Sequence, residues 1–198
     1  MSALGHDVIL ASASPYRAEL LRRVLHGFRQ VAADVDERHL AGETPQQMVV
    51  RLANIKARTV AMQHPGSIII GSDQIAALDD VILGKPHTLA RARKQLAACS
   101  ARTVSFHTAL SVVDAREPRM VTHAALDTTE VHFRQLDELE IERYLNREEP
   151  FDCAGSFKVE LLGISLFERI DNSDPTALTG LPLIACCRLL RACGVTIP

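Results

Sequence analysis

The sequence predicts an α/β fold: a mixed, twisted central sheet flanked by helices, in two closely joined lobes with a cleft between them. Three observations carry that prediction. Early in the chain, apolar strand-like runs alternate with capped amphipathic stretches, beginning with residues 8–11 and a helix from Pro15. Later, "RTVSFHTALSVVDA" and "MVTHAALDTTEVHFR" alternate as two long antiparallel strands would. Finally, 198 residues with 47% hydrophobic composition can bury a sizeable core in a single domain spanning 1–198, without metal or disulfide staples. No internal repeat or linker interrupts the chain, and the edge between lobes is expected near residues 130–150.

Each element has its own local reason. Residues 8–11, VILA, are a short apolar run bounded by turn formers, as in a buried strand. Ser14 follows as a helix N-cap, with Pro15 at the first helical position, where a missing N–H is no loss. Ala18, Leu21 and Leu25, with Leu20 and Val24, keep helical spacing. Such a turn points free N–H groups and the positive end of the helix dipole at one spot, where Ser12, Ser14 and Arg17 add donors. That spot suits phosphate, although the same residues also suit a plain capped helix start.

"FRQVAADVDE" reads as a second strand entering an acidic loop. Thr44, Pro45 and Gln47 form a capping box at the head of a helix ended by His64, Pro65 and Gly66. "SIIIGSDQIAALDDVILGKP" reads as a buried strand, a sharp break at Gly71, Ser72 and Asp73, and a hairpin turning near Asp79 and Asp80. Thr88 caps a helix over 89–99, Asp137 caps "ELEIERYLNRE", and Pro182 starts the last helix.

Composition excludes several classes. A net charge of −2 and a pI near 6.4 leave no global basic surface for a nucleic-acid polymer, so any anion site is local. The five cysteines have no C-x-x-C pair or zinc spacing; Cys186, Cys187 and Cys193 lie in an apolar helical stretch and are expected to pack. "MSALGHDVIL" has no charged leader region before a long apolar segment, and no run approaches a membrane span, so a soluble cytoplasmic protein is expected. There is no Walker loop, no G-x-G-x-x-G, no H-E-x-x-H and no G-x-S-x-G.

Polar groups collect instead in four places: the opening turn, residues 34–37 (DVDE), Asp73 with Gln74, and Lys85 between Gly84 and Pro86. Strand ends are where α/β folds bind ligands. Together these places supply cations, carboxylates and a helix N-terminus, the mixture that metal-assisted phosphoryl chemistry needs. Three of the four lysines, Lys56, Lys85 and Lys158, fall beside these stretches.

In order along nearly the whole chain, "LASASPYRAELL", "VDE", "RLANIKA", "GSDQ", "GKP", "CAGSFKVE" and "GLPLIACCRLL" resemble the Maf family of nucleoside triphosphate pyrophosphatases, whose fold is Maf/ITPase-like. The likeness is strongest to the YceF-type branch, which acts on 7-methyl-GTP. The resemblance implies hydrolysis between the α- and β-phosphates with a divalent cation, Mg²⁺ or Mn²⁺. It makes Asp73 the proton acceptor and puts Ser12, Arg17, Lys56 and Lys85 at the phosphates, beside the Ser14 that the turn itself offers as a substrate-binding donor. It makes Glu37 a metal ligand with Asp73, and it suggests a homodimer.

Three positions distinguish the branches. The dTTP- and UTP-cleaving branch resembles "SPRR" and "ADT", with a glutamine at the third position; this chain has Tyr16, Gln74 and Glu160. The 7-methyl-GTP branch has tryptophan, glutamine and glutamate, so Tyr16 alone departs, and it keeps an aromatic face. Such a face attracts the positively charged ring of a methylated guanine, and a carboxylate accepts from the N1–H and N2–H edge. Two alternatives stand beside this: a pyrimidine-nucleotide enzyme of the other branch, and a nucleotide-binding regulator of cell division without catalysis.

Overall fold

The computed structural model describes residues 7–198. Residues 1–6, on which part of the N-terminal leader reading falls, lie outside the described residues. The elements run β1 (Asp7–Leu10), α1 (Pro15–Arg22), β2 (Arg29–Gln30), α2 (Pro45–Gln63), β3 (Ser67–Leu78), β4 (Val81–Leu83) and α3 (Leu89–Cys99). Then come β5 (Thr103–Asp114), β6 (Val121–Phe133), α4 (Glu138–Glu148), β7 (Phe167–Asp171) and α5 (Leu183–Ala192), with short 3₁₀ turns at Ala154–Ser156 and Leu162–Leu166.

Among the described residues, seven strands form one open sheet in the order β2-β1-β3-β5-β6-β7, with β4 paired to β3. It is mixed, as the alternation of early βα units and later long strands predicts. β1 runs parallel to β2 and β3, whereas β4 and β7 run antiparallel to β3 and β6. The capping signals hold: the Ser14 hydroxyl accepts from the Arg17 N–H, and Thr44 with Gln47 and Asp137 with Glu140 form complete capping boxes. Asp79 and Asp80 both take positive φ, 48° and 64°, which suits the tight turn between β3 and β4.

The chain divides into two compact units. The first holds the described residues through Gln74 with Thr108–Asp127 and Asp174–Pro198; the second holds Ile75–His107 and Thr128–Ser173. The expected edge near 130–150 is therefore corrected to four crossings, because β3, β5 and β6 each contribute residues to both units. In the first unit one core joins Val8, Leu10, Ile68 and Ile70 to Leu20 and Leu21 of α1 and to Cys186, Leu189 and Leu190 of α5. The other joins Ile9, Ala11 and Ile69 to Ala57, Val60 and Ala61 of α2. The second unit is centred on Phe106, Phe133, Phe157 and Phe167, whose rings meet edge to face at centroid distances of 4.7 to 5.7 Å.

Two local expectations are corrected. The second strand is only Arg29–Gln30, and the rest of its expected run belongs to the connection before α2. The break at Gly71 is absent: β3 passes straight through Gly71, Ser72 and Asp73. A Cβ on Gly71 would lie 2.4 Å from the Ala53 carbonyl oxygen and 2.7 Å from the Ala57 nitrogen. The glycine therefore marks close approach of α2 to the strand, not the strand's end. Among the described residues, no helix is long and apolar enough to cross a membrane. All five cysteines are free: Cys186 and Cys193 pack in the α5 core, and Cys187 is half-buried.

Candidate active site

Strand β1 ends at Leu10, and the chain turns into α1 through Ser12 and Ser14. The Ser12 hydroxyl accepts from the Ser14 N–H at 3.1 Å, and the Ser14 hydroxyl from the Arg17 N–H at 3.3 Å. From β2, Gln30 Nε2 donates to the carbonyls of Ser12 at 2.8 Å and Ser14 at 3.2 Å, which clamps the turn from outside. Arg17 Nε donates to the Gly180 carbonyl at 2.9 Å and Nη1 to Ser12 Oγ at 3.4 Å. Gly180 has φ +112°, a backbone conformation that favours glycine, and a Cβ there would sit 3.3 Å from Arg17 Nε, tight enough to press on the guanidinium. Burial lowers the pKa of the Arg17 guanidinium, while the charges of Asp73 and Glu37 oppose that shift. Tyr16, in the first turn of α1, stands 42% exposed.

Strand alternation on β3 sorts the next residues onto two faces. Ile69, Gly71 and Asp73 face α2, where the close approach at Gly71 brings Lys56 Nζ to 2.6 Å from Asp73 Oδ1. Lys56 and Asp73 are each only 8% exposed. Ser72 and Gln74 face the 174–182 segment. Ser72 Oγ lies within reach of the carbonyls of Ala109, at 2.9 Å, and Gly180, at 3.0 Å. Gln74 Nε2 donates to the Ala177 and Leu178 carbonyls, both at 2.9 Å, and to Thr108 Oγ1 at 3.0 Å. That segment is braced by the buried Asp174 carboxylate, which accepts from the Thr176 N–H and hydroxyl and from the Ile184 N–H.

Glu37 reaches the same lysine from the connection between β2 and α2, with Oε1 at 2.7 Å from Lys56 Nζ. One ammonium thus gathers two carboxylates. Among the described residues no three His, Cys, Asp or Glu side chains cluster as a metal cage. Two hard carboxylate oxygens nonetheless fit a cation such as Mg²⁺, which takes one or two carboxylates and fills its shell with water and substrate phosphate oxygens. The structure therefore brings together Ser12, Ser14 and Arg17, and separately Glu37, Lys56 and Asp73, while Gln74 ties down the 174–182 segment.

Lys85 and Glu160 belong to the second unit, and both are exposed there. The Lys85 loop is fixed by Gln95, whose Nε2 donates to the Gly84 carbonyl at 2.9 Å and whose Oε1 accepts from the Ser156 hydroxyl. The His87 N–H also donates to the Phe151 carbonyl at 2.9 Å. Lys158 Nζ lies 3.7 Å from Asp152. Burial raises the Asp152 pKa, but the Cys153 thiol, its own backbone N–H, Lys158 and Lys85 outweigh that and lower it. Burial and Asp152 push the Cys153 thiol up to about 12. Tyr144 Oη accepts from the Lys158 N–H at 3.2 Å, and a Cβ on Gly163 would lie 2.4 Å from the Lys158 carbonyl oxygen.

Sequence reasoning missed Gln30, Thr108 and Gly180. Gln30 carries little signal, since the Arg29 beside it is polar too. Thr108 carries none, because its partner lies 34 residues away; Gly180 opens the "GLPLIACCRLL" motif, but nothing in that motif marks its contact with Arg17, 163 residues away.

Fold and site together define an α/β protein with a serine- and arginine-bearing strand-to-helix turn beside a lysine-linked carboxylate pair. The Maf-like protein family model matches residues 7–193, and the chain belongs to that family. A relative from Albidiferax ferrireducens, named 7-methyl-GTP pyrophosphatase, is 50% identical over 98% of this chain and 96% of its own. Relatives of the same name from Xanthomonas axonopodis pv. citri and Pseudomonas syringae pv. tomato are 54% and 49% identical, over 96% and 97% of this chain and 98% and 99% of theirs.

Proposed function

We propose that this chain is a nucleotide pyrophosphatase that hydrolyses 7-methyl-GTP between its α- and β-phosphates. The observation that carries this reading is the buried Lys56, bridging Asp73 and Glu37 beside the Arg17 turn. The names of relatives identical at about half of all positions support the substrate.

The positive N-terminal end of α1, with the Ser12 and Ser14 hydroxyls and Arg17, binds the negative phosphate oxygens. With Arg17 Nε tied to Gly180 and Nη1 to Ser12 Oγ, the guanidinium is held beside the turn where a charge-assisted bond to an anion would form. Asp73, oriented by Lys56, accepts a proton from water as the water oxygen bonds to the α-phosphorus. The bond from the α-phosphorus to its bridging oxygen breaks, and its electron pair leaves on pyrophosphate. One water and one nucleotide thus give 7-methyl-GMP and pyrophosphate. Glu37 and Asp73 would hold a divalent cation, Mg²⁺ or Mn²⁺, which when bound draws charge from the phosphoryl oxygens. The resemblance assigns Lys85 to the phosphates; by its chemistry Glu160 suits the N–H edge of guanine, and Tyr16 suits stacking on the charged methylated ring. Gln74 acts on specificity by fixing the Ala177 and Leu178 carbonyls.

The test is a substrate panel. Purified protein with Mg²⁺ is offered 7-methyl-GTP, GTP, dTTP, UTP and CTP, and pyrophosphate and orthophosphate are measured separately. The reading expects pyrophosphate and the highest kcat/KM for 7-methyl-GTP. Orthophosphate as the product, or a preference for dTTP and UTP, would overturn it.

A further inference from the structure

The connection over residues 31–44 that carries Glu37 contains no helix or strand, yet it has an anchor. Glu43 Oε1 accepts from Arg51 Nε at 2.6 Å and Oε2 from Arg51 Nη2 at 2.8 Å, a two-pronged pair. The same Nη2 donates to the Arg38 carbonyl at 3.1 Å, and Glu43 Oε2 accepts from the Leu40 N–H at 3.2 Å. The His39 ring nitrogen Nε2 meets the Glu43 carbonyl at 2.7 Å, and the Glu43 N–H donates to the Leu40 carbonyl at 3.1 Å. Residues 38, 39, 40 and 43 are thereby fastened to one arginine of α2, which stands five residues before Lys56 on that helix.

Glu37 is adjacent to the fastened segment. Its side chain is 58% exposed, so its pair with the buried Lys56 is open to solvent on the carboxylate side and is by itself weak against the entropy of ordering a long connection. The Arg51–Glu43 pair is better protected, with side chains 22% and 9% exposed. Arg51 also holds Glu43 below the usual carboxylate range, so the pair stays charged near neutrality. We propose that Arg51 and Glu43 are positioning residues that hold Glu37 against Lys56 and so assemble the Glu37–Lys56–Asp73 group. This rests on reading Glu37 as part of the catalytic site.

The experiment compares Arg51→Met, Glu43→Gln, Arg51→Lys, Glu37→Gln and the double variant Arg51→Met/Glu37→Gln. It measures the Mg²⁺ concentration for half-maximal pyrophosphate release, kcat at saturating Mg²⁺, and hydrogen exchange across residues 36–43. Arg51→Met and the nearly isosteric Glu43→Gln are expected to raise the Mg²⁺ requirement about tenfold, as loss of a group supporting a metal ligand typically does. Exchange over 36–43 should accelerate while that of the later turns of α2 is unchanged. Arg51→Lys, which keeps the charge but loses the fork, should restore little. Because Arg51 acts through Glu37, the double variant should be no worse than Glu37→Gln alone. Unchanged exchange and Mg²⁺ requirement in both Arg51→Met and Glu43→Gln would overturn the positioning role, as would multiplicative effects in the double variant. A Glu37→Gln enzyme with unaltered Mg²⁺ requirement and turnover would instead remove Glu37 from the site, the reading on which the proposal rests.

Discussion

Replacing Gly71 by alanine tests how α2 is set against β3. The added methyl would sit 2.4 Å from the Ala53 oxygen, 2.7 Å from the Ala57 nitrogen and 2.8 Å from the Ala57 Cβ. Carbon atoms in good contact lie about 3.5–4.0 Å apart, so the shortfall against the Ala57 Cβ is roughly 1 Å. Two of the three obstructing atoms are helix backbone and the third is fixed to it, so no side-chain rotation relieves the clash. The helix must retreat, and overpacking of this kind costs about 3 kcal/mol, the upper end of the usual range. For a chain of this size each kcal/mol lowers Tm by about 2–4 °C, which gives a loss of about 6–12 °C. Retreat of α2 also draws Lys56 from its 2.6 Å contact with Asp73, so kcat should fall as well, beyond what the unfolded fraction explains. Thermal denaturation followed by circular dichroism, with pyrophosphate release measured well below Tm, reads both effects. A Gly71→Ala protein within about 2 °C of wild type and with full turnover would refute the reasoning.

Three further outcomes follow from the same geometry. Cys99 is fully buried and its thiol is pushed up to about 12, as is the half-buried Cys153, so native protein at pH 8 should alkylate slowly at both. Mass spectrometry after unfolding should show both modified at once. Asp7 is held below its ordinary carboxylate value by hydrogen bonds from Arg29 and Ser67, which outweigh the opposing burial, so its stabilisation is present above pH 3.8 and lost as pH falls through the lower folded value. The Tm difference between wild type and Asp7→Asn should therefore be small at pH 7, less than about 4 °C for so exposed a pair, and vanish in acid. Finally, Tyr16→Ala should raise KM for 7-methyl-GTP more than for GTP, by up to about tenfold if the lost cation–π contact is worth about 1 kcal/mol or slightly more. Equal effects on the two nucleotides would argue that Tyr16 does not select the methylated base.

Much of the architecture was legible because its signals are local. The Thr44–Gln47 and Asp137–Glu140 boxes and the Ser14-Pro15 start each sit within four residues, and all cap helices as expected. Gly71 was misread for the opposite reason: a glycine after an apolar run looks like punctuation, and only the packing of α2 explains it. The division into units was equally hidden, since β3, β5 and β6 carry no composition change where they pass from one to the other. In the site, residue types at strand ends and caps pointed to Ser12, Arg17 and Asp73, and the resemblance added Lys56. Asp73 nonetheless lies inside a strand that continues where β1 has ended. Gln30 and Gly180 act through main-chain carbonyls, or as one, so their residue type announces nothing about the contact.

The proposed reaction turns on Asp73 as the group that takes a proton from water. Its direct measure is pyrophosphate release from 7-methyl-GTP by Asp73→Asn beside wild type, both shown to be folded by circular dichroism. Loss of a general base predicts a fall in kcat of about 10²–10⁴-fold with the fold retained. A folded Asp73→Asn enzyme turning over at close to the wild-type rate would contradict it.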